Sequence, residues 1–257
     1  MYVDYSFVFI IWAYLNMKLT PYGFFFGLGI FVGSCIIGTY TLKLLGLVLA
    51  GIFLQALLCT GCWEKFTFAA VLGSLPILFI TFLSDCVYVK RVLFAMALAA
   101  AIGRVGCFCV GCCNGPECKS DNELGITYRN CFINKKMDKE EVRVKPTILL
   151  EILLQFMLAI AVGVSNYGIV LYGILNMILL YLTNLWRMEK RMGDSTWITY
   201  VSLAFFSLLS LIKCGKVKGL GKGGGVFRWI YVLAGLLIAL QVSNDFTVGA
   251  IVRLFTG

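Results

Sequence analysis

The chain has 257 residues, of which 60% are hydrophobic and only 14% charged, where a soluble domain carries about 25% charged residues. That composition excludes a water-soluble fold and leaves a protein built for a lipid bilayer. A net charge of +9 would suggest nucleic acid as a partner for a soluble protein, but Lys and Arg here gather in loops between apolar segments, as membrane topology requires, and no nucleic acid is expected.

A helix needs about 20 residues to cross a hydrocarbon core of about 30 Å, and the apolar stretches can be read in order against that length. A short one at roughly 5–16 precedes Lys18 and Pro21 and is expected to be interfacial or re-entrant. No cationic n-region with a cleavage site is present, so no removable signal peptide is expected. The first crossing, roughly 22–40, opens on Tyr22 and Gly23 and carries Gly27, Gly29 and Gly33, a spacing of small residues that lets helix backbones approach closely. Further crossings are predicted at roughly 44–61, 68–88 and 92–112, with Glu64 and Lys65 and then Lys90 and Arg91 in the connecting loops.

Residues 113–146 form the one long polar loop, a small head outside the bilayer. Crossings resume at roughly 147–164, 167–186 and 197–213. The basic, glycine-rich loop from Lys213 to Arg228 is then cytoplasmic by the positive-inside rule, and a last apolar segment at roughly 229–243 crosses or lies re-entrant. The predicted fold is an all-α polytopic membrane bundle. It is one transmembrane domain over residues 1–257, with about seven crossings, short apolar segments at both ends and an outer-face head. Counting back from the cytoplasmic loop puts Lys43, Lys90 and Arg91 inside and the head outside. Arg187, Lys190 and Arg191 fall on the outer face, against the charge rule.

Arg104 interrupts an apolar segment, in Gly103-Arg104-Val105-Gly106-Cys107-Phe108. An arginine in a membrane helix costs about 2.5–3.5 kcal/mol on insertion scales, which makes it a functional-site candidate by default. Among the 11 cysteines, Cys107, Cys109, Cys112, Cys113 and Cys118 cluster, and the scattered ones are expected to be small core residues. The cluster admits a metal site, disulfides in an oxidising compartment, or thiols filling small spaces. Adjacent cysteines and a C-x-C spacing without any histidine do not fit the usual paired metal framework, and neither metal nor cofactor is expected. Its sharpest reading makes Cys112 or Cys113, near Arg104, an activated nucleophile.

Four separated features give the sequence its family likeness. They are Tyr22-Gly23 at the first clear helix, Gly103 to Phe108 followed by Gly111 to Gly115, Lys145-Pro146-Thr147-Ile148-Leu149-Leu150-Glu151, and Tyr181 to Glu189. In order, spacing and helix context over roughly 20–213 these resemble the prolipoprotein diacylglyceryl transferase family. Its corresponding motifs read Tyr-Gly, Gly-Arg-x-Gly-Asn-Phe with Asn-Gly-Glu, His-Pro-Ser/Thr-x-Leu-Tyr-Glu, and Tyr-Gly-x-x-Arg-Phe-x-x-Glu. The departures fall on the family's functional positions. The chain has no histidine, so Lys145 stands before the proline. Cys107, Val110 and Cys112 replace two asparagines and a glutamate, and the second arginine falls on Leu185.

The resemblance implies a multi-pass enzyme of the bacterial plasma membrane with its site near the outer face. Its substrates would be phosphatidylglycerol and a lipobox-containing prolipoprotein or other thiol acceptor. The alternative is a catalytically altered relative that binds phospholipid or a membrane partner, or that serves a different acceptor. A small transporter is a third reading, but no internal repeat supports it. Such a reaction needs a cation for the phosphate and an acceptor for the thiol proton. Arg104 meets the first need, or else simply pairs with a buried carboxylate such as Glu151. Glu151 is the candidate to take the proton or to orient Arg104, or else a carboxylate favoured at a helix N-terminus. Arg143 and Lys145 are candidates for a second headgroup charge, or else interfacial snorkelling residues, and Arg187, Lys190 and Arg191 for a cation displaced from 185. Tyr22, Gly103, Gly106 and Cys107 complete the expected lipid-binding set.

Overall fold

Ser84 and Asp85 are where the apolar sequence first turns polar within a long helical run, and there the backbone breaks. The computed structural model describes residues 21–38, 75–111, 113–120, 122–129, 132–187 and 196–220. The predicted crossing at 44–61 and the apolar segments at 5–16 and 229–243 lie outside the described residues. Helix α1 covers Pro21–Ile37, α2 Leu75–Leu83 and α3 Cys86–Val110. Asp85 caps α3 by accepting a hydrogen bond from the Tyr88 backbone N–H at 2.9 Å, and Gly111 ends it in the left-handed region at φ 76°.

The break therefore corrects the boundary expected at Lys90 and Arg91, which lie inside the first turns of α3 and are buried. Lys90 donates to the Val217 carbonyl at 3.0 Å and Arg91 to the Leu220 carbonyl at 2.8 Å. Both bind chain more than 120 residues away, so no local pattern betrays them.

After α3 the chain builds the head from β1 (Ile126–Arg129), α4 (Phe132–Met137) and β2 (Glu141–Val144). The strands pair antiparallel, with Ile126 opposite Val144 and Arg129 opposite Glu141. This small ribbon amends the all-α expectation. Tyr128, Ile133, Val142 and Val144 give the head its own core, and Phe108 at the end of α3 packs edge-on against Tyr128 at 6.4 Å between ring centres.

Pro146, unable to continue a strand ladder, leads directly into α5 (Thr147–Val164), followed by α6 (Gly168–Trp186) and α7 (Thr196–Lys213). All three match the predicted crossings to within a residue. The described helices α3, α5 and α6 are long and apolar enough to span a membrane, while α7 and α1 contain shorter apolar runs. The polarity of α5 is that of a membrane helix: Thr147, Glu151 and Gln155, four residues apart, are buried, whereas Leu153, Met157, Ile160 and Val164 are exposed.

Close helix contact comes from small residues, as the glycine spacing predicts. A Cβ on Gly29 would stand 2.6 Å from the Ala99 carbonyl oxygen, and one on Gly33 would stand 3.4 Å from the Ala99 Cβ, so α1 lies directly on α3. Tyr172 and Phe206 join α6 to α7 edge-on at 6.1 Å.

Two cysteines expected to be small core residues are instead joined: Cys86 and Cys214 form a disulfide across 128 residues, between the start of α3 and the residue after α7. Beside it Lys213 donates to the carbonyls of Thr81, Phe82 and Ser84 at 2.7, 2.7 and 3.2 Å, satisfying the exposed end of α2. The bundle is thus stapled at one end, while the head covers the other.

Candidate active site

Arg104 and Lys90 lie 14 residues apart on α3, about 20 Å along its axis. Arg104 is at the head end, where α5 begins and α6 finishes, and this antiparallel arrangement brings three charges together. Glu151, one turn into α5, is 1% exposed. Its Oε2 sits 3.2 Å from Arg104 Nε, and its Oε1 accepts from Arg187 Nε at 2.7 Å, with Arg187 Nη2 reaching Oε2 at 3.3 Å. Arg187, the residue that ends α6, is itself 5% exposed at its side chain.

One carboxylate between two guanidiniums compensates only one of two positive charges. In a water-poor setting a carboxylate or phosphate that adds the missing negative charge gains far more than it would in water. Glu151 has both oxygens committed, so its geometry is that of a group orienting two arginines.

Thr147 steadies the second arginine: its Oγ1 donates to the Trp186 carbonyl at 2.9 Å, fixing the end of α6 one residue before Arg187. The turn at 113–115 lies over the same place. Cys113 has φ 63° and its thiol lies within electrostatic reach of Arg104. A side chain on Gly115 would collide with Thr147 Oγ1 and the Trp186 carbonyl oxygen, so only glycine lets the loop pass there. Asn114, between them, is 5% exposed and neither its Oδ1 nor its Nδ2 has a hydrogen-bond partner among the described residues.

The candidate residues divide accordingly. Arg104, Glu151, Cys107 and Cys113 come together, Cys107 Sγ accepting from Arg104 Nη1 at 3.8 Å. Gly103 and Gly106 are buried on α3 on either side of Arg104. Arg143 and Lys145 instead meet Glu123 within the head, Arg143 through its carbonyl at 2.8 Å and Lys145 through its carboxylate at 3.2 Å. Tyr22 lies in the first turn of α1 with its side chain outside the described set, and Cys112 lies outside the described residues altogether. No group of three or more His, Cys, Asp or Glu residues able to hold a metal occurs among the described residues.

Two participants lie inside the motif stretches but are not singled out by them. Thr147 looks like an ordinary helix-start residue, and Asn114 sits outside the Gly-Arg-x-Gly stretch, although the Asn-Gly-Pro sequence does signal a tight turn. Arg187 could be found only as a charge on a face where the topology disfavours it.

Residues 67–212, more than half of the chain, match the family described as prolipoprotein diacylglyceryl transferase. The chain belongs to the prolipoprotein diacylglyceryl transferase family. The match spans Arg104, Glu151 and Arg187 together with the head. No curated protein and no solved structure matches the chain. Arg187, the second arginine bound to Glu151, lies two positions beyond the Leu185 that the motif spacing selects.

Proposed function

We infer that this protein is a membrane transferase that moves a diacylglyceryl group from phosphatidylglycerol to the cysteine thiol of a prolipoprotein, at a bacterial plasma membrane and near its outer face. The observation that carries the reading is the buried Arg104–Glu151–Arg187 cluster with one positive charge in excess. A phosphodiester brings one negative charge, which makes the cluster neutral. In the reaction the thiol sulfur forms a bond to the glycerol carbon and the carbon–oxygen bond to phosphate breaks. Glycerol phosphate leaves and the thiol proton passes to a base. The leaving phosphate gains charge as that bond breaks, and two preorganised guanidiniums favour that state over the intact lipid.

Glu151, bound to both guanidiniums, is a positioning residue in this scheme. An acceptor thiol near two guanidiniums ionises more readily than in water, which lessens the demand on a base in a chain without histidine.

The absence of histidine favours a second reading, a relative that binds anionic phospholipid without transferring anything. Incubating the purified protein with phosphatidylglycerol and a lipobox peptide separates the two. A peptide mass increased by diacylglyceryl, lost in Arg104→Ala, supports the transferase. Binding of the lipid with no product supports the second reading and overturns the first.

A further inference from the structure

Asn114 has no place in the charge arithmetic above, yet it is the polar group most in need of an explanation. An amide carries two N–H donors and a carbonyl oxygen with two acceptor positions. Leaving such a group buried and unbonded costs about 1–3 kcal/mol, so a native protein seldom keeps one without use. Asn114 is only 5% exposed, and both of its polar atoms lack a partner among the described residues.

Its neighbours fix where it is. Cys113 is within electrostatic reach of Arg104, and Gly115 is pressed against Thr147 and the Trp186 carbonyl, the peptide that leads into Arg187. Gly111 and Cys113 both have positive φ, and a side chain on Gly115 would meet Thr147 Oγ1 and the Trp186 carbonyl oxygen. Asn114 is therefore held between the anchorages of the two arginines, in a loop whose position is fixed by the packing at Gly115.

We propose that Asn114 is a specificity residue of the site, its amide hydrogen-bonding a hydroxyl of the lipid headgroup while Arg104 and Arg187 take the phosphate. This rests on the anionic-phospholipid reading of the cluster. A hydroxyl both donates and accepts, so it satisfies either end of the amide. A headgroup ammonium can satisfy only Oδ1, and it enters a cluster that already carries excess positive charge. Phosphatidylethanol supplies a singly charged phosphodiester but no hydroxyl, and isolates the amide's contribution.

The test compares binding of dioleoyl phosphatidylglycerol and dioleoyl phosphatidylethanol to the purified full-length protein in detergent at neutral pH, where both phosphodiesters are singly charged. The wild type is expected to favour phosphatidylglycerol by about tenfold, a net difference of one good hydrogen-bonded group. Asn114→Leu, close in volume, is expected to erase that preference by weakening phosphatidylglycerol alone, and Asn114→Ser to restore part of it. Arg187→Ala weakens both lipids. Thermal unfolding without added lipid gives an independent readout. Removing an unbonded amide leaves Asn114→Leu at least as stable as wild type, whereas a structural hydrogen bond would make it less stable.

An Asn114→Leu protein that keeps the wild-type preference overturns the proposal, as does one that unfolds at lower temperature. A wild type that binds both lipids equally overturns it while leaving the phosphate site intact. A wild type that binds neither lipid overturns the anionic-phospholipid reading as well.

Discussion

Arg187 Nε lies 2.7 Å from Glu151 Oε1, a contact that bridges 36 residues and ties the end of α6 to the beginning of α5. Through the same carboxylate it is connected to Arg104 on α3. Three helices thus share one buried acid, and the energetic consequences are asymmetric.

Glu151→Gln keeps the shape and removes the charge that separates two guanidiniums. Breaking a buried ion pair from one side costs about 3–5 kcal/mol, because the charges left behind are uncompensated. Unfolding followed in detergent is expected to show a loss of that size, together with loss of transfer to the lipobox peptide.

Arg187→Leu is expected to reduce transfer at least as strongly as Arg104→Ala, and the double variant to do little more, since both guanidiniums are held by the one carboxylate of Glu151 and either single variant breaks that arrangement. Leu185→Ala changes a side chain that is 59% exposed on the outer face of α6, and its transfer rate should equal that of the wild type. Measured rates for these four variants locate the second arginine directly.

Gly29→Val puts atoms where the Ala99 carbonyl already stands, 2.6 Å from the first added carbon. Overpacking of this kind costs about 1–3 kcal/mol. Gly33→Ala meets only a methyl group at 3.4 Å and should cost less. Thermal unfolding of the two variants side by side checks the order.

Cys86→Ser and Cys214→Ser are each expected to destabilise the protein by about 2–4 kcal/mol, and the double variant by no more than either. Peptide mapping without reductant should recover a cross-linked pair from residues 86 and 214, lost on reduction. Applied to protein taken directly from cells, the same mapping reports the compartment this end faces, since disulfides persist in oxidising compartments.

The bounds of α5, α6 and α7 can be read almost to the residue because each is an apolar run flanked by proline, turn residues or cations. Arg104 is equally legible, since a charge in hydrocarbon is too costly to be incidental. What the sequence hides is long-range pairing. Lys90 and Arg91 look like loop residues because their acceptors, the carbonyls of Val217 and Leu220, are brought to them only by the fold. Cys86 looks like a space-filling residue until its partner is seen. Arg187 is displaced by two positions from the motif arginine, and spacing alone cannot compensate for a helix that ends where this one does. Asn114 needs burial before it stands out at all.

The staple of Cys86, Cys214, Lys90, Arg91 and Lys213 is about 20 Å from the charged cluster along α3. Levering α3 away from α7 at that end means breaking a covalent bond and several carbonyl contacts at once, whereas the contacts described at the opposite end, the acid shared among three helices and the Thr147 hydroxyl on the Trp186 carbonyl, are all non-covalent. The bundle is built like a pair of tongs riveted at the handle. Any widening that admits a two-tailed guest starts at the jaws, and a guest that brings its own anion replaces the grip it loosens.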